Sequence, residues 1–412
     1  MPVPLPVSLA LLLVAVPAAT LCTPSSDPGA KAEPGADAAP ASERPPIQGS
    51  DWLTIPDEEF AARFADMAFG ESLLDRERVA WMWFVRVNQL IEDPSGRGMS
   101  GTGKVPLWMA WPTDPDTFGS RKRFEFGAPP RTEMQPSAEK TDLEAGRIAT
   151  AAPDASNEEV NRNKVSYDYL VDSGLTTQAD VATFFETHDY VNMPIGSVEL
   201  KASWLQVTEG SPAPTGALTF AFGNQVYWWR GLHVQAKMRL LDDPSTVFTN
   251  EDPSWFWATF EFNGNPGVRH VRETLITQRA PLPKAEIAAL LDLGGMKGFG
   301  FESYAPNGTQ IRFTVGGRGK TPVILGHTDM EDFAGLPNVA QPQYWTSFQA
   351  SCHSCHATAS YNPATDQFIP FSVPTGSLNL GYNIQSPTAP TVYLGQGFKP
   401  LDFMWPIVFQ AK

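Results

Sequence analysis

Cysteine is scarce, with three in 412 residues, so no disulfide framework holds the chain together. Positive charge is also in short supply. Thirty Lys and Arg face 45 Asp and Glu, for a net charge of −15. A chain of that sign repels nucleic acid and anionic lipid at long range, which argues against both as partners. It suits a basic partner protein, and it also keeps an exported protein soluble. After the first two dozen residues no apolar run approaches the roughly 20 residues that a membrane-spanning helix needs. There is no internal repeat, no glycine-rich phosphate loop, no G-x-S-x-G and no H-E-x-x-H. Nucleotide binding, serine hydrolysis and zinc peptidase chemistry therefore have no signature here.

The chain is long enough for one large domain or two smaller ones with a real core. Residues 7–21, VSLALLLVAVPAATL, have the length of a signal-peptide apolar region and end in small residues, although no Lys or Arg precedes them. Residues 1–22 are thus expected to be an export signal. Cys22 follows the run directly, as the lipidated cysteine of a bacterial lipoprotein does, so plain cleavage and lipid anchoring at Cys22 both stay open. Residues 23–50 are rich in Ala, Pro, Gly, Ser and Asp and read as a disordered linker. The expected location is the periplasm or outer cell envelope, with any membrane contact made through Cys22.

The folded part begins near Asp51. Helical spacing of Phe60, Phe64 and Met67 predicts a helix over 56–69, and 71–91 predicts a second whose back half is buried, with Trp81, Trp83 and Phe84 as core. Residues 94–155 read as loop. A third helix is expected at 176–188 and a fourth at 283–293, bounded by Pro283 and Gly294. Strands are expected at 196–207, 226–238, 254–262, 310–315 and 321–325, with Gly231 marking a bulge. Glu58 with Glu59, and Glu158 with Glu159, read as solvated pairs. The fold class is therefore α+β. A β-rich body with N-terminal helices over 51–335 is followed by a helical segment over 336–412 packed on it. Trp345 and Phe348 stand at helical spacings before Cys352.

Residues 352–356 read Cys-His-Ser-Cys-His, a C-x-x-C-H pentad. On a helix, positions i, i+3 and i+4 share one face, so both thiols and the imidazole point the same way. The thiols can add to the two vinyl groups of a haem, and His356 can reach its iron. One covalent haem c is thus predicted on Cys352, Cys355 and His356, with His356 as proximal ligand. His353 falls off that face, either exposed or at the haem edge. A zinc site would need two further ligands, a thiol-redox pair would prefer a βαβ setting, and a plain disulfide leaves His356 unexplained. The sixth iron ligand is open. Met404 is the one methionine after the pentad and is the candidate distal ligand, or else a core side chain. His233, His327, His188, Met296 and Met330 are further candidates.

Several stretches resemble large bacterial mono-haem proteins of the cytochrome c family whose function is unknown. They are AWMWFVRVNQL (80–90), VPLWMAW (105–111), IGSVELKASW (195–204), GLHVQAK (231–237), SWFWATFE (254–261), HTDMEDF (327–333), SCHSCHATA (351–359) and LDFMW (401–405). In such relatives the position of Met404 often lacks methionine. The groups Lys201 with Trp204, His233 with Lys237, and Trp257 with Glu261 then read either as pocket material or as paired positions in a β core. The functional expectation is single-electron transfer to a redox partner protein in the cell envelope. The alternatives are a haem-dependent oxidoreductase with an open iron site, and a haem-based binding or sensor protein.

Overall fold

In strands of 255–262 and 225–237 apolar side chains alternate with polar ones, and in 73–87 they recur on a helical period; these two patterns meet in one layer. The structure is a computed structural model. It describes residues 49–93, 98–99, 102–119, 122–131, 133–134, 157–241, 253–274, 279–312, 325–331, 335–337, 345–348, 351–368 and 397–411. The expected signal, Cys22 and nearly all of the linker lie outside the described residues, as does the segment 313–324.

Two helices open the described chain, α1 (Asp57–Phe69) and α2 (Leu73–Val87). The Ser72 hydroxyl caps α2 by accepting from the Asp75 N–H at 3.2 Å. Its second half, Val79–Val87, is buried throughout, as its composition implies. A short hairpin follows, β1 (Leu90–Glu92) with β2 (Lys104–Pro106). Then come β3 (Asn157–Arg162), α3 (Lys164–Asp172) and α4 (Gln178–Thr187). The long strands are β4 (Val198–Gln206), β5 (Thr219–Phe222), β6 (Gln225–Lys237) and β7 (Trp255–Phe262). Helices α5 (Val268–Thr274) and α6 (Lys284–Leu293) precede β8 (Tyr304–Gln310). Strands β3, β4, β6, β7 and β8 form an antiparallel sheet in that order, and β5 pairs with the first residues of β6. The α+β class is borne out.

The sheet has two different faces. Because side chains alternate along a strand, Leu200, Ala202, Leu232, Val234, Phe256, Ala258 and Phe260 share one side, packed in an apolar cluster with α2. There the Phe84 ring stacks on Phe260 with centroids 4.2 Å apart, and Trp81 meets Phe260 edge-on at 5.1 Å. The opposite side carries Lys201, Ser203, His233, Gln235, Lys237, Trp257, Thr259 and Glu261, nearly all of them buried. A face that polar is buried only where something polar is built over it.

That cover is the C-terminal part of the chain. It comprises β9 (Gly335–Pro337) paired with β10 (Trp345–Phe348), then α7 (Cys352–His356) and β11 (Ser360–Asn362). Strands β12 (Gln367–Phe368) and β13 (Lys399–Pro400) flank β11, and α8 (Trp405–Gln410) follows. A second apolar cluster joins α4, Trp255, Trp257, α7 and α8. Residues Arg44–Lys412 form one compact unit, so body and pentad are not separate bodies.

Three sequence expectations are corrected. Trp345 and Phe348 lie in a strand rather than on a helix leading to Cys352. Of the strand expected at 310–315, residues 313–315 lie outside the described residues; the described strand is Tyr304–Gln310 and ends before 311, its polar sequence hiding its burial. Strand β3 and helix α3 were not anticipated. Glu158 and Glu159 are buried in β3, not solvated; Glu158 pairs with Lys201 at 2.9 Å and Glu159 with Arg131 at 2.8 Å. Gly231 does mark a bulge. The β4–β6 register shifts between Ser203 and Trp204, opposite Arg230 and Gly231, and a Cβ on Gly231 would lie 2.7 Å from His327 Nε2.

Phe260 is the ring on which Trp81 and Phe84 both rest. Phe260→Ala should therefore lower stability by about 3–5 kcal/mol, the usual cost of emptying an aromatic core site, as read from the urea midpoint at unchanged slope.

Candidate functional site

The pentad forms the short helix α7, and the reason it sits where it does begins two strands away. Gln310 at the end of β8 anchors its start, donating to the Ser351 hydroxyl at 2.8 Å and accepting from the His353 N–H at 3.2 Å. Leu325 bridges to Ser351, and the Cys352 thiol faces the Leu325 carbonyl at 3.5 Å. At the other end the Trp405 indole donates to the Cys355 carbonyl at 3.0 Å.

His356 is held by backbone. Its Nδ1 lies 2.9 Å from the Phe403 carbonyl oxygen, and a carbonyl can only accept, so Nδ1 carries the proton and Nε2 keeps its lone pair. Burial pushes the imidazole pKa down to about 3, so the ring is neutral at physiological pH. Trp257 packs beside it with ring centroids 4.7 Å apart. The carbonyl of Phe403 is aimed by an unusual turn in which Asp402 and Phe403 both have positive φ, 49° and 69°. Non-glycine residues in that region cost about 1–3 kcal/mol each. Asp402 offsets this. It is wholly buried and accepts from Lys237 Nζ at 2.9 and 2.7 Å, Trp255 Nε1 at 2.9 Å and the Met193 N–H at 2.6 Å. The sheet thus grips the turn, and the turn orients the imidazole.

Cys352, Cys355 and His356 line one cavity. About 830 Å³ of space free of protein atoms lies within it, counted out to its mouth. Trp257, Trp405, Phe409 and Pro406 give it apolar walls, and Glu199, Lys201, His233, Gln235 and Glu331 stud the sheet side. The two cysteines are not bonded to each other. Burial, then the nearby Glu331 and Cys355, push the Cys352 thiol well above its usual pKa. It is thus held as a thiol, the wrong state for disulfide exchange, which needs thiolate. Among the described residues no cluster of three or more His, Cys, Asp or Glu side chains is placed to hold a metal ion directly. No helix among them is long and apolar enough to cross a membrane.

Polar groups on the sheet side are bonded to one another. His233 Nδ1 meets Thr259 Oγ1 at 2.7 Å and Nε2 meets Glu331 Oε1 at 2.9 Å. Glu331 also accepts from the His327 N–H at 2.5 Å. Burial alone would raise the Glu331 pKa; the His233 charge and hydrogen bond, Lys201 and the His327 N–H outweigh it and bring it down to about 2.

The candidate sixth ligands separate cleanly. Met330 and His233 line the cavity. Met404 does not; it is fully buried in the second apolar cluster at the cap of α8. His327 is buried behind His233 with ring centroids 6.1 Å apart, His188 is exposed on Phe184, and Met296 lies in the apolar cluster across the sheet. His353 is buried against Phe403, not exposed. Of the pairs singled out in the sequence, Lys201 with Trp204, His233 with Lys237 and Trp257 with Glu261, the first member of each lines the cavity and the second does not. Sequence reasoning missed Glu331, Gln235 and Asp402, although period-two alternation places Gln235 on the face of His233. No protein-family model matches the chain, and neither curated proteins nor solved structures give a match.

Removing the anchor of the turn should be costly. Asp402→Ala takes the neutralising carboxylate from buried Lys237 and should lower stability by about 3–5 kcal/mol, with Lys237→Met/Asp402→Leu recovering part of the loss in the same denaturation assay. Glu331 gives a pH signature. Its folded carboxyl binds a proton less tightly than the unfolded one. Its stabilisation is therefore complete above pH 4.5 and lost as pH falls towards 2. Glu331→Gln should flatten the stability profile across that window by about 3 kcal/mol.

Proposed function

We propose that the chain is an exported protein carrying one haem c, bonded through Cys352 and Cys355 and ligated by His356, and that it works in single-electron transfer. The observation that carries this reading is that Cys352, Cys355 and His356, its Nδ1 tied to the Phe403 carbonyl, all line one aromatic-walled cavity. The residues fit the group. Each thiol would add across a vinyl double bond of that group, its sulfur forming the C–S bond and its proton passing to the neighbouring carbon, with no electrons gained or lost. Trp257, Trp405 and Phe409 supply the flat apolar contacts, and the Phe403 carbonyl fixes the imidazole. When bound, the haem supplies a one-electron iron couple whose potential is set by the axial ligands and burial. The acidic charge suits a basic redox partner. The resemblance to mono-haem cytochrome c family proteins agrees with this, and the N-terminal apolar run supports export.

Met330 is the thioether in the cavity wall, 2% exposed, so the electron-transfer reading takes Met330 rather than Met404 as the distal ligand. A second reading has its own support. The His233–Glu331 pair lies in the same wall, a disposition useful to a haem-dependent oxidoreductase with an open iron site.

Optical spectra of the purified holoprotein separate the two. Electron transfer through a Met330-ligated iron predicts a far-red sulfur-to-iron charge-transfer band in the oxidised protein and no carbon monoxide shift on reduction. Met330→Ala should abolish the band and Met404→Ala should leave it. Rapid carbon monoxide binding by the wild type, with no such band, would replace this reading by the open-site one.

A further inference from the structure

Two donors in the cavity wall have nothing to donate to. Gln235 Nε2 and Trp257 Nε1 are buried and have no hydrogen-bond partner among the described residues. Both line the cavity, and they are direct partners across β6 and β7, on the same face. Buried donors in native proteins are nearly always paired, and an unmade bond of this kind carries the full desolvation penalty. Five other buried indoles, those of Trp81, Trp83, Trp204, Trp228 and Trp229, also lack acceptors. They sit in the apolar cluster and none lines the cavity. What distinguishes Gln235 and Trp257 is that they are adjacent and that both residues line the cavity.

We propose that Gln235 and Trp257 together form a carboxylate-binding pair in the cavity. Directly opposed side chains on neighbouring antiparallel strands have Cβ atoms about 5 Å apart, close enough for one group to meet both. A carboxylate presents two acceptor oxygens from a single carbon and can take one donor on each. The surrounding charges permit it. Lys201 and His233 share the wall. Glu199, directly across β4 from Gln235, is engaged by Arg162 at 3.1 Å and by the Ser166 hydroxyl at 3.1 Å. Glu331 is engaged by His233. The carboxylate has two sources, a propionate of the covalently held haem or a small free carboxylate. The first rests on the haem reading above.

The test uses holoprotein from a host that matures c-type cytochromes, as wild type, Gln235→Leu and Trp257→Phe. Haem content by pyridine haemochromogen should be the same in wild type and Gln235→Leu, and Trp257→Phe, whose ring also walls the haem, is read per haem bound. Resonance Raman of the reduced proteins should show the propionate bending band moved to lower frequency in both variants, with a lower midpoint potential. Acetate titrated into the wild type distinguishes the other source. A saturable Soret shift that is lost in Gln235→Leu would support the pair and assign it to a free carboxylate. Coloured variants with unchanged Raman band and potential, and no acetate effect in the wild type, would overturn the pair while leaving the haem reading intact. Wild type that emerges without haem would overturn the haem reading alone. Acetate calorimetry would then decide the pair, heat lost in both variants supporting it and no heat in the wild type overturning it.

Discussion

The site depends on one buried carboxylate. Asp402 reaches from the C-terminal segment into the polar face of the sheet, where Lys237 and Trp255 hold it. Without that grip the chain would have no reason to keep two successive non-glycine residues at positive φ. With it, the Phe403 carbonyl is fixed in space, the proton of His356 is drawn to Nδ1, and Nε2 keeps its lone pair on a ring that lines the cavity. The ion pair contributes geometry more than stability, since replacing a buried pair by apolar groups is often neutral. Its value lies in coupling the strand that carries His233 and Gln235 to the turn that orients His356.

The two faces of the sheet divide the labour. On one, aromatic rings interlock with α2 and supply most of the apolar burial. On the other, a row of polar side chains is covered by a segment from the end of the chain, and the imperfect fit between them leaves the cavity. The bulge at Gly231 contributes by making room for His327. The stretch 327–331 that follows delivers Met330 and Glu331 to the cavity wall. A thioether and an acid–histidine pair then face the same space, which is why electron transfer and small-ligand chemistry both find residues to use here.

Much of this was legible in the sequence, and the rest was hidden for identifiable reasons. Helices over 57–69, 73–87, 178–187 and 284–293 announce themselves by period and caps, and the three long strands by aromatic and β-branched alternation. Strand β3, NEEVNR with adjacent Glu158 and Glu159, reads as surface because its charges are neutralised by Lys201 and Arg131, which are remote in sequence. Trp345 and Phe348 fit a helical spacing and a strand equally over so short a run. The pentad fixed which residues would meet, but not what would face them. Met404 was favoured by its order along the chain, whereas the structure brings Met330 to the cavity through a fold contact that no local pattern encodes. Asp402 was visible only as part of LDFMW, with nothing to mark it as an anchor.

The central claim is that Cys352 and Cys355 are thioether-bonded to one haem. It is tested most directly by the mass of the proteolytic peptide spanning 351–359, taken from mature protein made in a cytochrome-competent host. The account predicts a single haem mass added to that peptide, reduced to attachment through one cysteine in Cys352→Ala or in Cys355→Ala. An unmodified peptide with both thiols free to alkylation would contradict it.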